Sequence, residues 1–296
     1  MKNNKRFASG NTFSFELETR KNLGQNFLQD ESIIHQIVAR ASRWMLPENK
    51  VCLEIGPGSG ALTRALLHSG WTVVAIEKDA RAVAGLQSSL VNEFEGKLRV
   101  IQGDILELNP DLVFSGAGKP ALCIGNIPYY ITSEIMLWFL KHQSHFNAGM
   151  FMIQKEVADR IASEPRCKSY GRLTVRMQLS CQVEQFLFVP ASAFMPVPKV
   201  DSAVIELSPC SQLLLLDNET SQFEQFTSML FSARRKMLRK TVTSALHQIF
   251  TPANHTLDEE QLVHKAEQLG IHFNQRPEEL SPIQILALFR LLKGER

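Results

Sequence analysis

Apolar and polar positions alternate between two kinds of repeat from about residue 30 onward. Short unbroken apolar runs predict strands buried on both faces, and they are separated by stretches whose apolar positions recur with a helical period. The predicted strands are residues 51–55, 72–77, 97–104, 120–126, 148–156, 182–189 and 201–208. Strand and helix follow one another through short connections, so we predict an α/β fold with a mainly parallel sheet and helices on both faces.

The helices between these strands have recognisable ends. The stretch DESIIHQIVARAS begins at Asp30, a residue type that caps helices, and ALTRALLHSG ends at Gly70. For TSEIMLWFLKH we expect Thr132 or Ser133 to be the cap. Little helical sequence separates the last three strands, which predicts an antiparallel strand at one edge of the sheet.

Strand signals end at about Pro209, and the rest of the chain has a helical period. Residues 221–250 predict more than one helix, while TLDEEQLVHKAEQLG carries a capping box from Thr256 to Glu259 and ends at Gly270. The last helix, SPIQILALFRLL, begins with a serine cap followed by proline. We predict three parts: a flexible N-terminal arm (1–20), an α/β domain (21–208) and a smaller all-helical domain (209–296).

Composition narrows the class of protein. The chain has 296 residues, a hydrophobic fraction of 44% and a net charge of +2, so bulk charge does not indicate a nucleic-acid partner. The five cysteines form no C-x-x-C pair, which predicts free thiols in a reducing compartment, and no His/Cys cluster predicts a metal site. Since no apolar stretch is long enough to span a bilayer and the first twenty residues lack a signal-peptide core, we expect a cytoplasmic protein without membrane attachment.

A glycine-rich segment, LEIGPGSGA, joins the first predicted strand to the next helix. Glycines there let backbone N–H groups approach a ligand, and Gly56, Gly58 and Ala61 fit the dinucleotide-binding pattern. Glu77 ends the next strand, 21 residues after Gly56, where a carboxylate accepts hydrogen bonds from ribose hydroxyls. Asp104 ends the third strand, where it either accepts from an adenine amino group or caps a helix. This half of the chain is predicted to bind a nucleoside-containing cofactor.

The segment GNIPYYITSEI follows the fourth strand and separates two kinds of cofactor chemistry. Hydride transfer has no evident need for Asn126, Ile127, Pro128 and Tyr129 in sequence, whereas methyl transfer to an exocyclic amine does. The N6 nitrogen of adenine is a poor nucleophile because its lone pair is delocalised into the ring. An amide oxygen and a backbone carbonyl that accept its N–H groups stabilise the positive charge that develops on it. Pro128 stiffens the turn, and Tyr129 offers a ring on which the base can stack.

Eight segments carry a resemblance to a known family: KNLGQNFLQD, EIGPGSGALT, EKD, GDIL, GNIPYYITSEI, FMIQKEVADRI, YGRLTV and SAFMPVPKVDSAV. In this order they resemble the ribosomal RNA adenine N6-dimethyltransferases of the kasugamycin-resistance type, from about Lys21 to Leu207 and more loosely beyond. The resemblance implies a Rossmann-like class I methyltransferase sheet with S-adenosylmethionine as methyl donor. It implies dimethylation of two adjacent adenosines in the hairpin near the 3′ end of small-subunit ribosomal RNA. The implied partner is the immature small ribosomal subunit, and we expect a monomer.

The resemblance also assigns roles to individual residues. Those implied to contact the cofactor are Asn26, Leu28, Gly56, Glu77, Asp104 and Asn126. Asn126 and Tyr129 would also hold the target base, and Phe194 would cover its other face, as base-modifying enzymes hold an extruded base between rings. On local pattern alone, Phe194 also fits a place in the core before a strand. Ile127 stands where leucine is frequent in the family, an apolar exchange that puts little in doubt.

Two basic clusters predict a phosphate-binding groove that runs from the α/β domain to the helical tail. Residues 234–240 hold five basic residues in seven positions, and a second cluster, which includes Arg176, spans residues 166–176. A charge run is usually a solvated face, but two clusters together favour RNA binding. The predicted RNA-binding residues are Arg166, Lys168, Arg172, Arg234, Arg235, Lys236, Arg239 and Lys240.

Three other functions stay open at this point. A related methyltransferase of large-subunit ribosomal RNA, which confers macrolide resistance, has a similar catalytic motif. An assembly factor whose binding to the ribosome matters more than methylation is a different class of protein. A nicotinamide dehydrogenase shares the glycine pattern but does not account for the segment at Asn126.

Overall fold

The computed structural model describes residues 26–114, 120–234, 236–250 and 259–294. Three features predicted from the sequence lie outside these residues: the N-terminal arm, Arg235, and the Thr256 end of the predicted capping box. Among the described residues, no helix combines the length and apolar character that crossing a bilayer requires.

Nine strands form two sheets in the described part of the chain. They are β1 (Phe27–Leu28), β2 (Val51–Ile55), β3 (Thr72–Glu77), β4 (Leu98–Gln102), β5 (Leu122–Asn126), β6 (Ala148–Gln154), β7 (Cys181–Val189), β8 (Phe194–Met195) and β9 (Ser202–Pro209). Seven strands form the main sheet in the order β4-β3-β2-β5-β6-β9-β7, and β1 pairs with β8. Neighbours from β4 to β6 are parallel, while β9 is antiparallel to both β6 and β7. The predicted fold class is confirmed, with the reversed strand second from the edge.

The helices alternate with the strands and then make up the rest of the chain. They are α1 (Glu31–Ala41), α2 (Ala61–His68), α3 (Ala80–Leu86), α4 (Pro110–Val113), α5 (Thr132–His142), α6 (Lys155–Ile161), α7 (Arg172–Gln178), α8 (Asp217–Ser232), α9 (Leu238–Gln248), α10 (Glu259–Gln268) and α11 (Pro282–Lys293). The Asp30 side chain caps α1 by accepting from the Ile33 N–H at 3.1 Å, as predicted. The predicted cap of α5 is wrong, because the Thr132 hydroxyl donates back to the carbonyls of Pro128 and Tyr129.

The core of the α/β part has two layers, one on each face of the sheet. Side chains of a strand point to opposite faces in turn, so β3 places Val73 in one layer and Val74 in the other. The first layer packs against α1, α2 and α3, and the second against α5, α6 and α7. Helices on both faces therefore bury the central strands completely, which explains their unbroken apolar runs.

A third core lies between the helices of the tail. Phe289 contacts Phe223 and Phe226 there, with ring centroids 5.3 Å and 5.8 Å away. Tyr170, which precedes the tail in sequence, belongs to the same core, and its hydroxyl donates to the Leu280 carbonyl at 2.9 Å. The tail is thus anchored on the segment around α7. A domain boundary at residue 209 stays a prediction.

Candidate active site

A cavity opens at the carboxyl ends of β2, β3 and β5, where ligands bind in open α/β sheets. Its walls also include β1 and the turns that follow β4 and β5. It brings together all but one of the residues predicted for the cofactor and for catalysis. The predicted residues that line it are Asn26, Leu28, Gly56, Gly58, Glu77, Asp104, Asn126, Ile127, Pro128 and Tyr129.

The glycine loop between β2 and α2 is folded as its sequence requires. Gly56, Gly58 and Gly60 have φ angles of +64°, +54° and +80°, a region that side-chain-bearing residues rarely adopt. Space is limited as well, because a Cβ on Gly58 would lie 2.8 Å from the Phe27 ring. Because these glycines carry no side chain, the backbone of the loop can approach a ligand in the cavity closely. This cradle, which a side chain would fill, fits a nucleoside cofactor.

Glu77 stands at the end of β3 with both carboxylate oxygens held by backbone N–H groups. Oε2 accepts from Gly58 at 3.1 Å and Oε1 from Asp79 at 2.8 Å. Burial raises the pKa of the carboxyl group, and these N–H groups oppose the rise. Each oxygen of a carboxylate has a further lone pair, so the side chain can still accept from the hydroxyls of a ribose.

Asp104 lies two residues after the end of β4, and its carboxylate has two partners in this structure. Its Oδ1 accepts from the Leu106 N–H at 3.0 Å, which caps a short 3₁₀ turn, and its Oδ2 pairs with Lys78 Nζ at 2.7 Å. The Lys78 ammonium is the main reason that the pKa of the Asp104 carboxyl lies below its ordinary value. The capping role considered from the sequence is therefore present. The contact with an adenine amino group stays a prediction that the position of Asp104 in the cavity wall allows.

Asn126 ends β5 beside the glycine loop. Its Nδ2 donates to the Asn26 carbonyl oxygen at 3.0 Å, and because a carbonyl can only accept, this bond fixes which end of the amide is which. No described residue donates to Oδ1, so the amide keeps an acceptor for an outside donor. The next residue, Ile127, is buried and donates its N–H to the Met152 carbonyl at 3.0 Å. The turn that carries Asn126 is thus held at both sides.

Close packing of β5 on β2 sets the distance between the amide and the loop. Gly125 lies opposite Ile55 in the sheet, and a Cβ on Gly125 would come within 2.5 Å of the Ile55 carbonyl oxygen. Only glycine lets the two backbones approach this closely at the mouth of the cavity.

Two tyrosines follow the proline. Tyr129 is half-buried, and its hydroxyl lies 2.8 Å from Ser202 Oγ. Burial is the main cause of the raised pKa of this phenol, so it is neutral at physiological pH. Tyr130 also lines the cavity but exposes 57% of its surface. The ring of Tyr129 is therefore fixed in the wall, whereas that of Tyr130 faces the opening.

Phe194 lies in the core of this structure, and its implied contact with the target base stays a prediction. It is 3% exposed, belongs to the core layer that contains α1 and α2, and does not line the cavity. The cause is the pairing of β8 with β1, which sets Phe194 opposite the buried Leu28 and turns Met195 outward opposite Phe27. The alternative of a core phenylalanine describes this structure, and a stacking role for Phe194 would require β8 to move.

Glu54 is a cavity residue that the sequence analysis missed. It sits in β2, is 1% exposed, and its Oε2 has no hydrogen-bond partner among the described residues. Burial raises the pKa of this carboxyl group to about 8, a rise that the nearby Thr63 hydroxyl opposes without reaching hydrogen-bonding geometry. The signal was a single glutamate inside an otherwise apolar buried strand.

The two predicted basic clusters adjoin in space. Arg234 pairs with Glu278 at 2.6 Å and donates to the Lys168 carbonyl at 3.0 Å, while the Arg166 N–H donates to the Glu278 carbonyl at 2.7 Å. Arg234 is thus used to join the tail to the α/β part. Arg176 is half-buried and lies 3.7 Å from Glu224. The predicted RNA-binding residues that are exposed are Arg166, Lys168, Arg172, Lys236, Arg239 and Lys240.

Comparison with known proteins identifies the family of the chain. The family model for ribosomal RNA adenine dimethylase matches residues 16–272. A ribosomal RNA small subunit methyltransferase A of Chlorobium chlorochromatii (strain CaD3) is 37% identical over 278 residues, covering 94% of this chain and 95% of that protein. The protein of the same name from Shewanella oneidensis is 37% identical over 275 residues, covering 92% and 94%.

Solved structures are similar over the same range. A dimethyladenosine transferase from Plasmodium falciparum has a TM-score of 0.74 at 26% identity, covering 88% of this chain and 95% of that chain. The 23S rRNA methyltransferase ErmE has a TM-score of 0.65 at 27% identity, covering 90% and 99%. The chain therefore belongs to the ribosomal RNA adenine dimethylase family and is an S-adenosylmethionine-dependent methyltransferase, which confirms the interpretation of its motifs.

Proposed function

We propose that this enzyme converts two adjacent adenosines, in the hairpin near the 3′ end of small-subunit ribosomal RNA, to N6,N6-dimethyladenosine. It acts as a monomer on the immature small subunit in the cytoplasm, and the modification contributes to maturation of that subunit. The observation that carries the proposal is the fixed amide of Asn126, whose NH₂ group is held by Asn26 while Oδ1 remains an acceptor. Relatives named for the small subunit, which this chain matches over nearly its whole length, support the choice of RNA.

The residues at the end of β5 can stabilise the positive charge that develops on an exocyclic amine as it is methylated. When bound, S-adenosylmethionine supplies a methyl group activated by its sulfonium. Asn126 Oδ1 accepts an N–H of the target N6 and stabilises positive charge on that nitrogen as it becomes tetrahedral. Tyr129 has its hydroxyl tied to Ser202, so its ring offers a fixed face to the base. The chain needs no strong base here, because the N–H of a quaternised nitrogen is acidic.

The rest of the cavity wall suits the donor. Glu77 would accept from the ribose hydroxyls, and Asp104 from the adenine amino group, since both are ionisable acceptors at strand ends. The cradle at Gly58 leaves room for the donor, and Leu28 and Ile127 cover its apolar parts. On the outside, the exposed cations near Arg166 and Lys236 would hold phosphates.

The test is a comparison of RNA substrates. Small subunits from cells that lack this enzyme, and protein-free large-subunit RNA, are incubated with the enzyme and radiolabelled S-adenosylmethionine. We expect up to four methyl groups per small subunit, located by mass spectrometry on two neighbouring adenosines, and little transfer to large-subunit RNA. Preference for large-subunit RNA would favour the alternative raised by the similarity to ErmE and overturn the proposed substrate.

A role in assembly is separated from the chemistry in cells. A strain carrying only the Asn126→Ala form retains the surface that binds the subunit but loses the acceptor. If methylation is the function, this strain should behave as a deletion strain in the abundance of mature subunits. Normal maturation with unmethylated RNA would assign the main function to binding.

A further inference from the structure

A short apolar segment, residues 195–200, lies exposed beside the active-site cavity. Met195, Val197 and Val200 expose 56%, 63% and 44% of their surface. Scattered apolar residues on a surface need no explanation, whereas exposed apolar residues concentrated in one segment are typical of an interaction site. We call Met195, Val197 and Val200 the apolar patch. The proposed mechanism uses none of these side chains.

Both ends of the segment are attached to residues that line the cavity. Met195 pairs with Phe27 across the β1–β8 ladder, and Phe27 is part of the cavity wall. At the other end, Ser202 follows the segment and contacts the Tyr129 hydroxyl at 2.8 Å. The segment that carries the patch is therefore attached at both ends to the cavity wall, on one side at Phe27 and on the other through Ser202 at Tyr129.

The backbone around the segment is held firmly. Pro196 and Pro198 restrict its conformation. Asp201 Oδ1 accepts from the Ala191 N–H at 2.9 Å, and the Asp201 carbonyl accepts from the Lys155 N–H at 3.0 Å. An apolar patch on a stiff support keeps its shape when another molecule presses against it.

The chemistry of the segment and its place beside the cavity indicate the kind of partner. Lys199 is its exposed cation, and Asp201, which follows the segment and is also exposed, keeps its negative charge while Oδ1 accepts from the Ala191 N–H. Apolar side chains therefore dominate the segment rather than a net charge. They match the flat apolar faces of bases, and Lys199 can contact a phosphate of the RNA that enters the neighbouring cavity.

We propose that residues 195–200 insert into the RNA beside the target adenosine, with Met195 and Val197 against the faces of the flanking bases. This inference rests on the proposed function, since it assumes an RNA adenine as substrate. A base enters a modifying site only after it leaves its stack, and that step costs free energy. Apolar side chains wedged into the vacated space recover part of this cost, as they do in proteins that unstack bases.

The test uses a double variant and two controls. Met195→Ser/Val197→Ser removes the apolar contacts, Val197→Ile keeps them, and Leu112→Ser makes the same change at a residue on α4 that is 75% exposed and outside the cavity wall. Each protein is assayed for kcat/KM on unmethylated small subunits, for its Kd for S-adenosylhomocysteine, and for the salt dependence of RNA binding. Thermal unfolding checks that each variant is folded.

We expect the double variant to lose about 10- to 100-fold in kcat/KM, which corresponds to part of the few kcal/mol that unstacking one base step costs. Its Kd for S-adenosylhomocysteine and its salt slope should not change, because no charge is removed, and both controls should match the parent. A double variant within twofold of the parent would overturn the proposal, as would a loss accompanied by a weaker salt slope. Full activity together with loss of self-association would assign the patch to a second copy instead. If the parent itself is inactive on small subunits, the proposed substrate is wrong, and the variants are compared on large-subunit RNA.

Discussion

Replacing Glu54 by glutamine should make the protein progressively more stable relative to the parent as the pH rises from 5 to 7. The side chain is almost completely buried in the cavity wall, and burial raises its pKa from 4.5 to about 8. Between these two values the unfolded chain releases the proton and the folded protein retains it. The protonated carboxyl group therefore makes its full contribution to folding stability below pH 4.5, and this contribution is lost as the pH rises from 4.5 through about 8.

The size of the effect follows from the two pKa values. Each pH unit between them costs about 1.4 kcal/mol of folding free energy. At pH 7 the parent therefore loses about 3 kcal/mol relative to a neutral side chain, whereas at pH 5 the loss is below about 1 kcal/mol. Glutamine does not ionise, so Glu54→Gln removes this pH dependence. A buried amide that lacks a partner costs about 1–3 kcal/mol at every pH, which lowers the whole curve without changing its slope.

Urea unfolding at pH 5, 6, 7 and 8 measures this slope directly. The difference in unfolding free energy between Glu54→Gln and the parent should rise by about 2–3 kcal/mol from pH 5 to pH 7. Glu156→Gln is the matched control, because Glu156 is exposed and pairs with Arg160 on the same helix. Parallel curves for the parent and Glu54→Gln would show that Glu54 is ionised in the folded protein and would refute the reasoning.

The remaining predictions concern the sheet and the basic surface. Gly125→Ala should reduce kcat more than tenfold and lower the unfolding free energy by more than about 2 kcal/mol. The reason is that the added Cβ would press on the Ile55 carbonyl and push Asn126 away from the glycine loop. A fully active, stable variant would contradict the close approach of the two strands. Arg234→Ala should lower thermal stability, since it leaves Glu278 without its partner. Lys236→Ala should leave stability unchanged and reduce the salt slope of RNA binding by about one unit. A loss of stability in Lys236→Ala but not in Arg234→Ala would contradict the structure.

The sequence predicted the main sheet because long buried strands leave a continuous apolar signal. It did not predict β1 and β8, since a two-residue strand has no periodicity and its pairing depends on contacts between residues far apart in the chain. It also missed α6 and α7, and the predicted strand 148–156 runs two residues into α6, which begins at Lys155. The cap of α5 was wrong because a threonine hydroxyl can donate backward as readily as it can accept.

The predictions for the site also differ in what they depend on, either chain topology or packing in the folded core. Gly56, Glu77 and Asn126 line one cavity, as the sequence predicted, because each ends or directly follows a strand at the edge where ligands bind. Their contacts with the cofactor stay predictions. Glu54 was missed because its raised pKa comes from burial that only the folded chain provides. Phe194 was placed in the site, but the register with β1 turns it into the core.

Arg234 shows what a run of basic residues in the sequence does not predict. Its sequence context is a basic run, yet its guanidinium is bound to Glu278, 44 positions away in the chain. A run of charges therefore does not distinguish the residue that joins the two parts from those that face the solvent, and RNA binding by the exposed cations stays a prediction.

The central claim is that Asn126 stabilises the charge that develops on the target nitrogen. The most direct test is single-turnover methyl transfer by Asn126→Ala on unmethylated small subunits, with saturating S-adenosylmethionine so that weaker donor binding does not limit the rate. The account predicts a fall of about 10²–10³ in the rate, the effect of removing one polar group at a charge-developing centre. A rate within a few fold of the parent would contradict it.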